Sequence, residues 1–404
     1  MQNAPGYTPL HSASRSNILF ALEDTQMSFP FSRRNFLTAA GTTALTCPGA
    51  ARLLAQQVAQ QSGPQLPTPA LQLPVAPLTP ANYRSTVSLV RGENRRKNVH
   101  DAIVALDAEL RPELARKPYV FIKPNLTSVD NQLASTHPDA IRGILDYLDG
   151  RFKGSVVIGE AASRDTTQAF DNFYYNRLIS EYPRLRVSLV DLSEEGKYVV
   201  IPTMDSNVHL TPARIAQRNV DPDAFIICAA IPKTHESMIM TAAVKNMVMG
   251  APIHSSRKET QAWSDKRKIH VRGYQQHNYN IFMVGQRLAP HWNLAVLDGY
   301  EGMEGNGPVR GTAVPHRIAI ASRDFVATDR VAVEAMGIEP TWVGYLQYCG
   351  AVGLGNYDLS KIDVRGETLA SVVRKYQMNP NFDKEIQWMG PLDPAAVAAG
   401  PGRG

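Results

Sequence analysis

The chain has 404 residues, of which 44% are hydrophobic and 20% charged, a composition typical of a folded globular protein. Its net charge of +5 is not gathered into a polybasic tract, so we expect no nucleic-acid partner. The mildly apolar residues 38–51 fall short of the ~20 apolar residues that a bilayer span needs, and no later stretch reaches that length. We therefore expect no stable membrane span.

The N-terminal region has the layout of a twin-arginine export signal. Arg33 and Arg34 stand within the sequence Ser-Arg-Arg-Asn-Phe-Leu, and the mildly apolar run follows them. This pattern predicts a signal region at residues 1–55, with Met27 as an alternative start. It also predicts that the twin-arginine export machinery is a partner and that the protein is periplasmic or otherwise extracytoplasmic.

Composition indicates a linker, a domain and a tail in the rest of the chain. Residues 56–82 are rich in glutamine and then in proline, which predicts an extended linker. Residues 390–404 end in Ala-Ala-Gly-Pro-Gly-Arg-Gly and predict a flexible tail. Residues 83–380, between them, predict a single large domain.

Short apolar runs alternate with helical periodicity along this domain. The predicted strands are Thr86–Val90, Tyr119–Ile122, Ser155–Ile158, Arg186–Val190, Ala224–Ala229, Asn293–Leu297, Arg317–Ala321 and Ile362–Val364. The predicted helices are Asn98–Leu110, Pro138–Leu148, Gln168–Glu181, Met238–Met249, Tyr279–Leu288 and Phe325–Met336. Strands separated by helices predict an α/β fold, with a largely parallel or mixed sheet flanked by helices.

Polar side chains follow several of these strands, at the carboxyl ends where open α/β sheets bind ligands. Lys123 and Asn125 follow one strand, and Glu160 follows the next. Lys233 and His235 come after a third strand, in what we predict to be a short loop. These strand ends predict a cleft lined by lysines, carboxylates and a histidine.

The predicted helix Met238–Met249 carries further polar residues of this cleft. Thr241 and Lys245 are four residues apart and would share one helical face. A lysine near a helix N-terminus suits a carboxylate or a phosphate, because the helix dipole favours negative charge there. Apolar residues surround Lys245 and Asn246 in the sequence, so we expect a partly buried lysine that needs a partner. The alternative is a solvated lysine on an amphipathic helix.

A glycine-rich loop after a later strand carries several oxygen donors. Asp298, Glu304 and Asn306 lie in this loop, and Glu160 is a fourth candidate from a neighbouring strand end. Hard divalent cations prefer such oxygen donors, so a divalent metal ion is the candidate cofactor. The alternative is a tight loop with solvated acids, the interpretation that we favour for Glu301.

Two other features have weaker functional interpretations. Residues 255–278 predict a basic, loop-rich insertion, for which we favour an ordinary surface excursion over a lid on the cleft. His235-Glu236 begins like a zinc-protease motif, but Ile239 stands where the second histidine is required. We therefore expect no zinc site of that kind.

A series of short polar motifs runs through the predicted domain. They are Lys123-Pro124-Asn125, Thr136-His137-Pro138, Pro232-Lys233-Thr234-His235, Val244-Lys245-Asn246 with Gly250, the loop Asp298–Pro308, Ser322-Arg323-Asp324, Ala327-Thr328-Asp329-Arg330 and Gly353-Leu354-Gly355. This ordered set resembles the uncharacterised "domain of unknown function 362" family over residues 84–365. The resemblance implies a bacterial or archaeal family with no settled activity.

Some members of that family carry ferredoxin-type iron–sulfur modules. This chain has no Cys-x-x-Cys sequence, and one of its three cysteines, Cys47, lies in the signal region. The other two, Cys228 and Cys349, cannot by themselves hold a four-cysteine cluster. We therefore expect no iron–sulfur cluster.

These residues together favour an exported, metal-assisted enzyme that acts on a small anionic substrate. His235 would be the catalytic general base. The substrate-binding residues would be Lys123, Asn125, Lys233, Lys245 and Asn246. The metal ligands would be Asp298, Glu304, Asn306 and Glu160. The alternative is a binding module that captures an anion or a metal without turnover and delivers it to a partner.

Overall fold

The structure is a computed structural model, which describes Thr79 and residues 82–271 and 273–389. The predicted signal region, nearly all of the predicted linker and the predicted tail lie outside the described residues. Those that are described belong to one compact unit.

Strands and helices alternate along most of this unit. The strands are β1 (Ser85–Arg91), β2 (Tyr119–Lys123), β3 (Ser155–Glu160), β4 (Val187–Asp191), β5 (Tyr198–Met204), β6 (Leu210–Ala216), β7 (Ala224–Ala230), β8 (Lys233–His235), β9 (Ile239–Thr241), β10 (Trp292–Gly299), β11 (Gly302–Glu304), β12 (Thr312–Val314), β13 (Ile318–Ser322) and β14 (Ile362–Gly366). The helices are α1 (Arg95–Val104), α2 (Asp107–Leu114), α3 (Pro138–Leu148), α4 (Thr166–Asn172), α5 (Arg177–Glu181), α6 (Leu192–Glu195), α7 (Ala243–Met249), α8 (Lys266–Ile269), α9 (Tyr274–Leu288), α10 (Phe325–Ala335), α11 (Gly344–Ala351), α12 (Leu369–Val372) and α13 (Phe382–Glu385).

The main sheet has eight strands in the order β14-β1-β13-β10-β7-β2-β3-β4. β13 is antiparallel to both of its neighbours, whereas every other neighbouring pair is parallel. Each of the eight predicted strands is a strand of this sheet, with ends that differ by two residues at most. The predicted α/β fold with a largely parallel or mixed sheet is confirmed.

Helices cover both faces of this sheet, which is why its central strand β7 is apolar and fully buried along its length. On one face, α1 and α3 pack together and bury Ile103, Ile141 and Ile144. On the other face, α7, α9 and α10 surround a second core that includes Val244, Ile281 and Val331. In the parts of the chain that the structure describes, no helix has the length and apolar character to cross a bilayer.

Three of the predicted helices are interrupted. The predicted Asn98–Leu110 is divided into α1 and α2, and the predicted Gln168–Glu181 into α4 and α5. Between α4 and α5, Tyr174 has a φ of 59°, a left-handed conformation that a continuing helix does not contain. The third interruption, within Met238–Met249, lies at the candidate site.

Candidate functional site

A small second sheet has the strand order β12-β11-β8-β9. It connects the segment that contains Lys233 to the glycine-rich loop that contains Glu304. Lys233 on β8 lies between Met303 on β11 and Thr241 on β9. The prediction that Lys233 and His235 occupy a loop is wrong, because they belong to a strand. Thr241 is also in a strand, so it does not share a helical face with Lys245.

The predicted helix Met238–Met249 is broken at Ile239, which has a φ of 64°. This left-handed conformation is strained for a β-branched residue, and such strain persists where surrounding contacts enforce it. Here the Ile239 N–H donates to a carboxylate oxygen of Glu385, and β9 pairs with β8. Tertiary contacts therefore override the helical pattern of the sequence, and α7 begins only at Ala243.

Asp329 on α10 holds the first turn of α7. The residue before α7, Ala242, provides no side-chain cap. Instead, the Asp329 carboxylate accepts the N–H groups of Ala243 at 2.7 Å and Val244 at 3.1 Å. Burial raises the pKa of Asp329 to about 7. Because Lys245 and Asn246 follow in the same turn, Asp329 fixes the part of α7 that carries them.

The side chains of this region surround one cavity of about 210 Å³, which we call the lysine cavity. At ~30 Å³ for each water molecule, it has room for roughly seven waters or a ligand of comparable size. It lies beyond the carboxyl ends of β2 and β3, where α/β sheets bind ligands. Its titratable lining residues are Glu160, His235, Glu236, Lys245, Lys266 and His270.

A buried ion pair joins the ends of β2 and β3 beside the cavity. Lys123 Nζ donates to Glu160 Oε2 at 2.8 Å and to Asn246 Oδ1 at 3.1 Å. Asn246 Oδ1 also accepts from Asn125 Nδ2 at 3.0 Å. A Cβ on Gly250 would overlap Lys123 Nζ and Glu160 Oε1, so glycine at this position makes room for the pair. The ammonium group of Lys123 is therefore hydrogen-bonded within the protein and does not contact a ligand in the cavity.

Lys233 lies behind the cavity wall. Its Nζ donates to Asn125 Oδ1 at 2.7 Å, to Thr127 Oγ1 at 3.1 Å and to the Ala134 carbonyl at 2.8 Å. Burial, with a contribution from the charge of nearby Lys245, lowers the pKa of Lys233 to about 7. These three hydrogen bonds indicate that Lys233 stabilises the loop after β2. That loop includes Asn125, which lines the cavity.

Lys245 and His235 form a buried contact in the cavity wall, with 2.7 Å between Lys245 Nζ and His235 Nε2. The backbone N–H of Ser237 donates to His235 Nδ1 at 3.1 Å. Since Nδ1 accepts, a neutral ring carries its proton on Nε2 and donates it to Lys245. The lysine then accepts with its lone pair, which makes it an uncharged amine. Burial agrees with this assignment, because it lowers the pKa of Lys245 to about 7 and that of His235 well below its usual range.

Lys266 and His270 also line the cavity, although they belong to the segment for which we predicted a surface excursion. Arg214 positions them, since its backbone N–H and its Nε both donate to Asp265 Oδ2, directly before Lys266. Lys266 Nζ donates to the Met249 carbonyl at 2.7 Å, and burial lowers its pKa to about 8. The His270 ring lies 6.2 Å from that of His235, and burial lowers the His270 pKa to about 4. The only sequence signal for these residues was the basic, histidine-containing character of residues 255–278.

The four candidate metal ligands have separate neighbours. Asp298 pairs with Arg95, at 3.2 Å, and Glu304 Oε2 accepts the N–H of Gln377 at 2.8 Å. Glu160 pairs with Lys123, as described above, and Asn306 is exposed. Within residues 82–271 and 273–389, no three His, Cys, Asp or Glu side chains are grouped so that they could hold a metal ion. These separate contacts indicate that the four candidate ligands do not form one metal site.

The sequence comparisons agree with this description of the domain. Residues 120–334 match the family described as "Domain of unknown function (DUF362)", which is more than half of the chain. The chain belongs to this family. The matched range begins in β2 and ends in α10, so it contains every strand and helix that contributes a side chain to the lysine cavity.

Two individual proteins show more distant similarity. A thylakoid-associated protein of Synechocystis sp. is 24% identical over 227 residues, which are 55% of this chain and 64% of that protein. The chain thus spans less than two thirds of this relative. A crystal structure of a protein from Thermotoga maritima matches with a TM-score of 0.35 and 11% identity, over 53% of this chain and 52% of that chain.

Proposed function

We propose that the lysine cavity binds a small anion and that the protein is an enzyme acting on it. The supporting observation is an excess of buried basic side chains over buried carboxylates. Lys123, Lys233, Lys245 and Lys266 are all buried at or behind the cavity. Among the lining residues, Glu160 is the buried carboxylate, and it is already paired with Lys123. A bound anion would supply a counter-charge for the protonated lysines, Lys266 in particular, because buried charges without a partner are unfavourable.

An enzyme fits this site better than a passive binder does. A binding pocket needs cations and hydrogen-bond donors, whereas this cavity also contains an unprotonated amine in contact with a neutral imidazole. An amine with a pKa of about 7 accepts and donates protons near neutral pH, which is the requirement for general acid–base catalysis. We assign the reactive groups to Lys245 and His235, and the anion contact to Lys266. The twin-arginine pattern at Arg33 and Arg34 supports an extracytoplasmic site of action.

Calorimetric titration with inorganic phosphate tests the anion site. We expect one phosphate to bind per chain. Lys266→Met and Lys245→Met should each weaken binding about tenfold or more, because a hydrogen bond to a charged group contributes ~1.5–3 kcal/mol. Lys153→Met is the matched control, since Lys153 is exposed and lies outside the cavity. The Lys153→Met variant should bind phosphate with the same affinity as the unmodified protein.

Two results would contradict the proposal. One is the absence of any heat beyond dilution at millimolar phosphate. The other is an equal loss of affinity in Lys153→Met and Lys266→Met, which would indicate a general charge effect. Circular dichroism of each variant would first establish that the fold is retained.

A further inference from the structure

We propose that Lys245 forms a Schiff base with the carbonyl carbon of a small oxo acid, whose carboxylate binds Lys266. This inference rests on the proposed anion site and adds the substrate class and the covalent step. It depends on three features of the cavity: the state of the amine, a hydrogen-bond donor beside it, and a cation at a separate position.

The first feature is an amine with an available lone pair. The Ser237 N–H occupies His235 Nδ1, so His235 Nε2 carries the ring proton and Lys245 Nζ accepts it. An ammonium ion cannot attack a carbonyl carbon, whereas an amine can. Desolvation is the usual way in which proteins prepare a lysine for this chemistry, and Lys245 is 5% exposed. Rotation about the Cε–Nζ bond turns the lone pair from His235 toward the cavity.

The second feature is the proton on His235 Nε2, which supports a balanced reaction. Nζ attacks the carbonyl carbon, a C–N bond forms, and a proton passes from Nζ to the carbonyl oxygen, which becomes the hydroxyl of a carbinolamine. The nitrogen lone pair then expels that hydroxyl as hydroxide, which His235 Nε2–H stabilises by a hydrogen bond, and the C–O bond breaks. The hydroxide removes the proton of the resulting iminium and leaves as water. The sum is one carbonyl and one amine giving one imine and one water, with no oxidant or reductant.

The third feature is Lys266, on the short helix α8. Its Nζ donates to the Met249 carbonyl, and the side chain reaches the same cavity as Lys245. An ammonium group has three donors, so protons remain for a carboxylate. The cavity volume of about 210 Å³ admits a molecule of a few carbon atoms. A carbonyl at one lysine and a carboxylate at the other together define an oxo acid.

Borohydride trapping tests this inference on the full chain. The protein is incubated with pyruvate, the imine is reduced with borohydride, and the modified residue is located by peptide mass spectrometry. We expect one reduced pyruvate adduct on Lys245. The adduct should be missing in Lys245→Met and unchanged in Lys153→Met. His235→Leu keeps the amine but lacks the hydrogen-bond donor beside the departing hydroxide, and should slow trapping roughly tenfold or more.

Acetaldehyde, which has a carbonyl but no carboxylate, isolates the role of Lys266. Lys266→Met should slow trapping of pyruvate roughly tenfold to a hundredfold, and leave trapping of acetaldehyde within about twofold. If Lys266→Met slowed the trapping of pyruvate and of acetaldehyde equally, Lys266 would not be the residue that binds the substrate carboxylate.

The covalent step and the anion site can fail separately. If phosphate and pyruvate bind by calorimetry but no adduct forms on Lys245, the Schiff base is wrong and the anion site stands. Adducts that are spread over surface lysines, and persist in Lys245→Met, would also overturn the Schiff base. If neither anion binds, the proposed function fails as well.

Discussion

Replacement of Glu160 by glutamine is expected to lower the free energy of unfolding by about 3–5 kcal/mol. Glu160 and Lys123 are buried, with side-chain exposures of 3% and 0%, and their charged atoms are 2.8 Å apart. Glutamine keeps the shape of the side chain but removes its charge, so the ammonium of Lys123 remains in the interior without a counter-charge. Urea denaturation followed by circular dichroism measures the change.

Two further variants separate this loss from a general effect of mutation. Glu109→Gln removes an exposed ion pair with Arg365 and should change stability by less than about 1 kcal/mol. The double replacement Lys123→Met with Glu160→Leu removes both buried charges, and should recover much of the stability lost in the single variant. If Glu160→Gln were no more destabilising than Glu109→Gln, the buried charge of Lys123 would not require Glu160 as its counter-charge.

The second large effect is expected at Asp329. Its replacement by alanine removes the acceptor of two backbone N–H groups, on Ala243 and Val244, in a fully buried position. Each buried N–H left without a partner costs about 1–3 kcal/mol, so the loss of both should lower the free energy of unfolding by roughly 2–6 kcal/mol. Because these groups begin α7, the variant should also bind phosphate more weakly through displacement of Lys245.

Asp165→Ala is the control for this prediction. Asp165 accepts one backbone N–H, that of Gln168, at the start of α4 on the surface, and it also pairs with the exposed Arg257. Its loss should lower stability by about 0.5–2 kcal/mol and leave phosphate affinity unchanged. Equal destabilisation in the two variants, with phosphate binding intact in Asp329→Ala, would show that Asp329 does not hold the site.

The main sheet could be predicted from the sequence because its strands carry local signals. The eight predicted strands are apolar runs bounded by helices or turns, and all eight occur in the sheet. The parallel arrangement then places Lys123 and Glu160 at the ends of neighbouring strands, where they pair. Side chains that lie at the ends of adjacent strands were thus predictable as neighbours.

The remaining parts of the site depend on contacts between distant segments, which carry no local signal. Lys266 belongs to a segment that is loop-rich in sequence, yet the Arg214–Asp265 pair holds that segment against the cavity. Residues Met238–Met249 have a helical pattern, but pairing with β8 and the bond to Glu385 interrupt it. The cap that Asp329 provides for α7 spans more than eighty residues of sequence.

The most direct test of the proposed site is an NMR pH titration of isotope-labelled lysine side chains, with and without inorganic phosphate. The Lys245 signal is assigned by its absence in Lys245→Met. Burial predicts a pKa of about 7 for Lys245 in the free protein. Bound phosphate should raise this pKa, because a nearby negative charge favours the ammonium form. By linkage, phosphate affinity should fall as the pH rises above 7.

A Lys245 pKa near 7 that increases with phosphate would support an uncharged amine in an anion-binding cavity. A Lys245 pKa near ~10.4, the ordinary value for lysine, with no response to phosphate would contradict both parts of that claim.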